Sequence, residues 1–422
     1  MILKDSINRK NDLYGLFEFL NSLKAQCSIS INGDWGRGKT IFMKQLKLLI
    51  DTNNTKFNTV DELKNNQTQS NLLTEINDKN IENTIPQVCV YYDAWQNDNS
   101  DDPLLSLIHS IVSDLSSDLK KDKNLLNCGL ELIKLITGRD FKSIFSEIKA
   151  KSYFKKIMDE KTFNKKVNNF IDKALEERGD RLVLIIDELD RCKPSFAIEL
   201  LEKIKHFFNN DKITIVYALN LFELKNVIKV YYGENYSSLK YLDRFFDYSF
   251  DLSPVDYDRY LSGIGFNSRD IYNIIIRDCV RYFKFTMRQS INYINSFYKI
   301  INKTRIDKNS RNPYFIISLF IIPYNLGLRI SGSDEYDLFN SGDGLLKFKE
   351  FYNFFLQQSY IDYFLPDVNA FNQLLELNKS ILDLLYLKLF KNNESHHLFN
   401  YFDSEHLRDL SINTYKKVFS GL

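Results

Sequence analysis

The chain has 422 residues, enough for two or three domains and a large buried core. Its 56 Lys+Arg against 55 Asp+Glu leave a net charge of +1, which excludes a strongly basic or acidic chain and leaves room only for local patches. Five widely spaced cysteines (Cys27, Cys89, Cys128, Cys192, Cys279) form no paired spacing, and the opening "MILKDSINRKNDLYG" has no long apolar core. Both features argue against a disulfide framework and a secretory signal and favour a cytoplasmic chain with reduced thiols.

Residues 13–24, "LYGLFEFLNSLK", repeat apolar side chains at helical spacing, and "CSISI" then reads as a short strand. The strand runs into the glycine loop "NGDWGRGKT", after which residues 40–50 return to helical spacing. From 51 to 85 the chain is polar and poor in apolar residues, a solvated insertion. "PQVCVYYDAWQ" carries a second strand starting near Val88, and "DNSDDP" supplies caps for a helix faced by Leu104, Leu107, Ile108, Ile111 and Leu115. Helical patterning continues to about Glu177, so residues 99–177 read as a helical insertion.

"DRLVLIIDELDR" is a third strand, apolar without alternation, as a strand covered on both faces of a parallel sheet must be. A helix in "SFAIELLEKIKHFF", a fourth strand in "KITIVYALN", a helix over 221–232 and a short strand in "FDYSFDLS" follow. Strands alternating with helices predict a doubly wound α/β parallel sheet over residues 1–254. Beyond Pro254 all patterning is helical, with a Gly/Ser/Asp break at 331–344 separating 255–330 from 331–422. The apolar run "NPYFIISLFIIPYNLGL" falls short of the roughly 20 residues a spanning helix needs and is interrupted by Pro323 and Asn325, so it reads as a buried helix and no integral membrane segment is expected.

Gly33, Asp34, Trp35, Gly36, Arg37, Gly38, Lys39 and Thr40 fit G-x-x-x-x-G-K-[ST] between a strand and a helix. Glycines at these places let backbone N–H groups turn inward around phosphate, and the helix N-terminus that follows favours negative charge. Lys39 is then placed to reach the β- and γ-phosphates of ATP, and the Thr40 hydroxyl to ligate Mg²⁺. Such a loop needs a metal-orienting carboxylate ending a neighbouring buried strand, and Asp187 stands there with Glu188, a candidate for polarising water, directly after it. Asn220, ending the next strand, is either a residue touching that water or the start of a turn. Arg244 and Arg288 are candidate cations for charge developing on the γ-phosphate, or exposed surface arginines. His396, His397 and His406 lack the partners and spacing of a metal site, and the aromatic C-terminal segments fit a core.

Several segments together resemble the KAP family of P-loop NTPases: "GDWGRGKT", "YYDAWQNDNSDDPLLSLIHSI", "LVLIIDELDRCKPSFAIELLEKIKHFF" and "YLDRFFDYSFDLS". The resemblance covers residues 1–260 and loosely reaches 330. It implies a nucleotide loop at 33–40, a Mg²⁺ partner in Asp187, a Trp95 packed beneath the site, a sensor arginine in Arg288 on a helical lid (255–330), and in Arg244 a finger acting on a neighbouring subunit. It further implies an ATP-dependent conformational switch or motor, homo-oligomeric when nucleotide is bound, with a link to phage defence. Gln96 and Asn97 depart from the family's usual Arg-Tyr, and Glu188 and Asn220 each replace a common Asp. Two alternatives stay open: a nucleotide-gated scaffold that barely hydrolyses, and a nucleic-acid-remodelling ATPase whose protein or nucleic-acid partner binds through the C-terminal helices.

Overall fold

The computed structural model describes residues 9–54, 56, 84–115, 123–137, 160–264, 266, 270–304, 313–356, 382–391, 413 and 415–416. Most of the expected polar insertion at 51–85, part of the helical insertion, and His396, His397 and His406 lie outside these residues. The chain divides into two units, Met1–Pro254 and Val255–Leu422.

In the first unit α1 (Lys10–Ser22) leads to β1 (Cys27–Asn32), the glycine loop and α2 (Lys39–Asn53). Next come β2 (Gln87–Asp93), α3 (Pro103–Leu115), α4 (Lys123–Thr137) and α5 (Glu160–Leu175). Then β3 (Arg181–Asp187), α6 (Pro194–Phe207), β4 (Ile213–Leu219), α7 (Leu221–Tyr232), α8 (Ser238–Leu242) and β5 (Tyr248–Asp251) complete the unit. The five strands form one parallel sheet in the order β2-β3-β4-β1-β5. Parallel neighbours need crossovers, and the helices that make them cover both faces.

The two faces explain the unalternating strands. Leu182, Leu184 and Ile186 of β3 join Ile213, Ile215 and Tyr217 of β4 in a core closed by α3, α5 and α6. Val183 and Ile185, with Val216 and Ala218, join the opposite core, which α1 and α2 close through Phe17, Leu20, Met43 and Leu46. A strand apolar at every position therefore serves two cores of period two. The same parity continues to the strand end: Asp187 follows Val183 and Ile185 and so faces α2, the helix that begins at Lys39. β2 and β5 are the edge strands, and the residues of β5 are exposed.

The second unit is helical in its described residues, with α9 (Tyr257–Gly263), α10 (Ile271–Tyr282), α11 (Met287–Thr304), α12 (Pro313–Leu319), α13 (Ile321–Ser331), α14 (Glu335–Ser341) and α15 (Leu345–Leu356). Tyr324 packs against Phe339, Phe348 and Phe351, so these C-terminal aromatics form a core. Pro313–Ser331 is a helical run long and apolar enough to cross a membrane, with mean hydropathy 1.4, and 72% of it is buried within the protein. Pro323 falls in the first turn of α13, where its missing N–H interrupts no helical hydrogen bond. Buried Asn325 exchanges hydrogen bonds with Asn340 and donates to Tyr415, which satisfies its amide inside the apolar run.

Candidate functional site

The loop after β1 closes through two glycines whose backbones only glycine adopts freely, Gly36 at φ 78° and Gly38 at φ 85°. Gly33 N–H donates to the Leu219 carbonyl at the end of β4, seating the loop between β1 and β4 at the carboxyl edge of the sheet. That crevice, where strand order doubles back, is where open parallel sheets bind ligands. Within the loop Asp34 pairs with Arg37 at 2.9 Å, so the Arg37 guanidinium is spent locally. Lys39, buried, donates through Nζ to the Gly33 carbonyl at 2.5 Å and the Asp34 carbonyl at 3.2 Å. Burial lowers its pKa, while Asp190, Glu188 and Asp187 pull it back up.

Thr40 brings the two halves of the site together. Its hydroxyl donates to Glu188 Oε1 at 3.3 Å and lies within hydrogen-bonding reach of Asp187. Asp187 is completely buried; Tyr91 donates its phenolic O–H to one carboxylate oxygen at 2.7 Å, and the Glu188 N–H donates to the other at 2.9 Å. Burial raises the Asp187 pKa, and these donors oppose that rise. Tyr91 stands on β2 two residues before Asp93, whose register partner is Asp187. Glu188 sits in the left-handed region, at φ 62°, and its other carboxylate oxygen pairs with Arg191. Such a conformation is uncommon for a non-glycine residue and clusters at functional sites.

Two further arrangements escaped the sequence reading. Arg191 lies over two indoles, its guanidinium carbon 5.5 Å from the centroid of the Trp35 ring and 5.5 Å from that of the Trp95 ring, and Trp35 Nε1 donates to Asp190 Oδ2 at 2.6 Å. Trp95 is thus no residue packed beneath the site: it is 51% exposed on the turn Trp95–Asn97, where a cation offers its ring face a better partner than an apolar floor. Asp190 is itself buried. Arg9, ahead of α1 and 2% exposed, donates to the Ser253 carbonyl (2.9 Å from Nε) and, through Nη1, to the Arg37 carbonyl at 2.6 Å. It ties the loop to the segment leaving β5.

Asn220 is placed at the end of β4 as expected, but its side-chain oxygen caps α7, accepting from the N–H groups of Phe222 (3.0 Å) and Glu223 (3.3 Å). The structure therefore favours the turn-starting role for that oxygen. Arg244 is exposed on the turn after α8, and Arg288 is exposed at the second residue of α11 in the second unit. Among the described residues, Arg244 makes no hydrogen bond or ion pair with the loop, Asp187 or Glu188. No group of three or more His, Cys, Asp or Glu able to hold a metal occurs among the described residues. The hydroxyl of Thr40 and the carboxylate of Asp187 are hard oxygen donors of the kind Mg²⁺ takes, and such sites are usually completed by phosphate and water, so the donor set fits.

A parallel sheet with a glycine loop between β1 and α2, and a buried aspartate ending β3 beside that loop's threonine, defines a P-loop NTPase, a nucleotide-binding class. The description "KAP family P-loop domain" matches residues 14–260, more than half of the chain, and the protein belongs to that family. An uncharacterized protein of Methanocaldococcus jannaschii is 24% identical over 31% of this chain and 95% of its own length. The solved structure of the Aeropyrum pernix ORC2 protein, in ADPNP-ADP complexes, superposes with a TM-score of 0.36 at 11% identity, over 71% of this chain and 64% of that one.

Proposed function

We propose that this protein is a Mg²⁺-dependent ATPase that works as a conformational switch or motor. The observation that carries the reading is the Thr40 hydroxyl, which touches the carboxylate of Glu188 and lies beside that of Asp187, 147 positions away in the chain. The loop 33–40 would wrap the triphosphate with its N–H groups, Gly33, Asp34, Trp35, Gly36, Arg37 and Gly38 supplying the backbone. Lys39 would turn its amine from the carbonyls of Gly33 and Asp34 to the β- and γ-phosphates. Thr40 and Asp187 would hold Mg²⁺, which when bound offsets phosphate charge. Glu188 would accept the proton of a water attacking the γ-phosphorus in line, as the bond to the ADP oxygen breaks.

Arg244, exposed and without an ion pair among the described residues, is proposed to reach the nucleotide of a second subunit, and Arg288 to sense nucleotide from a helical lid. Residues 255–330 are proposed as that lid and 331–422 as a further helical domain. A role in phage defence rests on the family resemblance alone. The test is turnover of Mg·ATP: Lys39→Ala and Glu188→Gln should each abolish it, with Glu188→Gln still binding ATP. Full turnover in both variants would refute the assignment. A second reading, a nucleotide-gated scaffold, is favoured by the engagement of both Glu188 carboxylate oxygens. It predicts that Glu188→Gln changes nothing, and that mass changes with a slowly hydrolysed ATP analogue.

A further inference from the structure

Both carboxylate oxygens of Glu188 have a partner: Thr40 Oγ1 donates to Oε1, and Arg191 forms an ion pair with Oε2. A carboxylate beside a guanidinium is a weaker acceptor for a water proton, because the positive charge favours its ionised form. The Arg191 side chain is only 18% exposed, so water screens the pair little. The guanidinium also lies over the rings of two indoles, Trp35 from the phosphate loop and Trp95 from the turn after β2. Trp35 is fastened in turn by its N–H to Asp190, the neighbour of Arg191 in sequence.

We propose that Arg191 is a positioning residue that latches Glu188, and that Trp35 makes the latch responsive to nucleotide. The inference rests on the reading of Glu188 as the group that activates water. Trp35 belongs to the loop whose Gly33 and Asp34 carbonyls hold the Lys39 amine. When Lys39 turns toward phosphate those two carbonyls lose their donor and the loop readjusts, carrying the Trp35 ring with it. The Trp35 ring then shifts, the guanidinium loses part of its support, and Glu188 Oε2 is released toward water in a fraction of the nucleotide-bound molecules, a fraction that removal of Arg191 would extend to all of them.

The experiment uses the full chain. Steady-state turnover of Mg·ATP is measured for the wild type, Arg191→Met, Arg191→Lys and Trp95→Leu, with and without Glu188→Gln. Arg191→Met should raise kcat about tenfold or more while KM stays within about threefold, since a released base acts on the chemical step. Trp95→Leu should give a smaller rise, and Arg191→Lys should stay near the wild type because it keeps a charge for Oε2. Each gain should vanish with Glu188→Gln. A kcat for Arg191→Met at or below the wild type, with turnover still dependent on Glu188, overturns the latch and leaves the ATPase reading standing. Wild-type turnover no greater than that of Glu188→Gln overturns the ATPase reading, and the latch with it.

A second measurement holds even where Arg191→Met folds poorly. The chain has two tryptophans, the two that flank Arg191. In Trp95→Phe, Trp35 alone reports, and its emission should shift when a slowly hydrolysed ATP analogue is added with Mg²⁺, because its ring moves against the Arg191 cation. Unchanged Trp35 emission at saturating analogue overturns the proposed coupling.

Discussion

Arg9 should anchor the first unit, and its removal provides a quantitative test of how the phosphate loop is held. Its guanidinium is buried and donates to two carbonyls, Ser253 beyond β5 and Arg37 in the loop. Arg9→Ala removes the donors and leaves both acceptors in a confined space. An acceptor stripped of its partner costs ~1–3 kcal/mol when water cannot replace it. Two acceptors, partly rehydrated through the cavity left by the side chain, put the loss at about 3 kcal/mol. That is a large share of the 5–15 kcal/mol by which native proteins are stable. Both tryptophans lie in the first unit, so their emission follows its unfolding. At a urea dependence near 3 kcal/mol per M, the midpoint should fall by about 1 M. Arg9→Lys keeps a cation but one ammonium cannot serve both carbonyls in the geometry of the fork, so it should recover less than half of the loss. A midpoint for Arg9→Ala within about 0.2 M of the wild type would show that the clamp carries no stability and that the loop is held by its glycines and its own contacts.

Asn220→Ala should cost ~1 kcal/mol by uncapping α7, whereas Asn220→Asp, which keeps an acceptor, should retain both the urea midpoint and ATP turnover. A stable Asn220→Asp protein with turnover reduced more than about tenfold would return the residue to the reacting water. In the second unit, burial raises the Asp278 pKa from 3.8 to about 7, against the pull of Arg281 at 3.4 Å. Between those values the folded state binds more protons than the unfolded one, so stability should fall as pH rises from about 4 to 7 and level off above. Asp278→Asn should therefore stabilise the chain most at about pH 8 and do little at about pH 4, followed by circular dichroism in urea. An equal effect at both values would refute the assignment of that slope to Asp278.

How much of this was legible in the chain alone follows from the range of each signal. The loop needed nothing beyond eight consecutive residues, and Gly36 and Gly38 take the left-handed backbone that made glycine necessary there. The buried strands were legible because Leu182–Ile186 of β3 and Ile215–Leu219 of β4 run apolar without polar alternation, and the two cores they serve account for that pattern. Asp187 was legible by its place at the end of such a strand. Tyr91 was not, although it donates to Asp187 across 96 positions of sequence, because a tyrosine in a strand pattern is indistinguishable from a core residue. Arg9 reaches Ser253 across 244 positions, and a single basic residue ahead of a helix carries no local signal of burial.

The sequence by itself settled the class: the order of strands and helices, the phosphate loop and the carboxylate that ends β3, since each depends on contiguous residues and on the two-fold or 3.6-fold period they share. Only the tertiary structure decided which side chains meet. Trp35 and Asp190, 155 positions apart, became partners; Trp95 came to lie over Arg191 rather than beneath the site; and the oxygen of Asn220 went to the cap of α7. The physical reason is that a buried polar group must find a donor or acceptor wherever packing brings one, and that choice depends on the three-dimensional neighbourhood rather than on the neighbours in the chain.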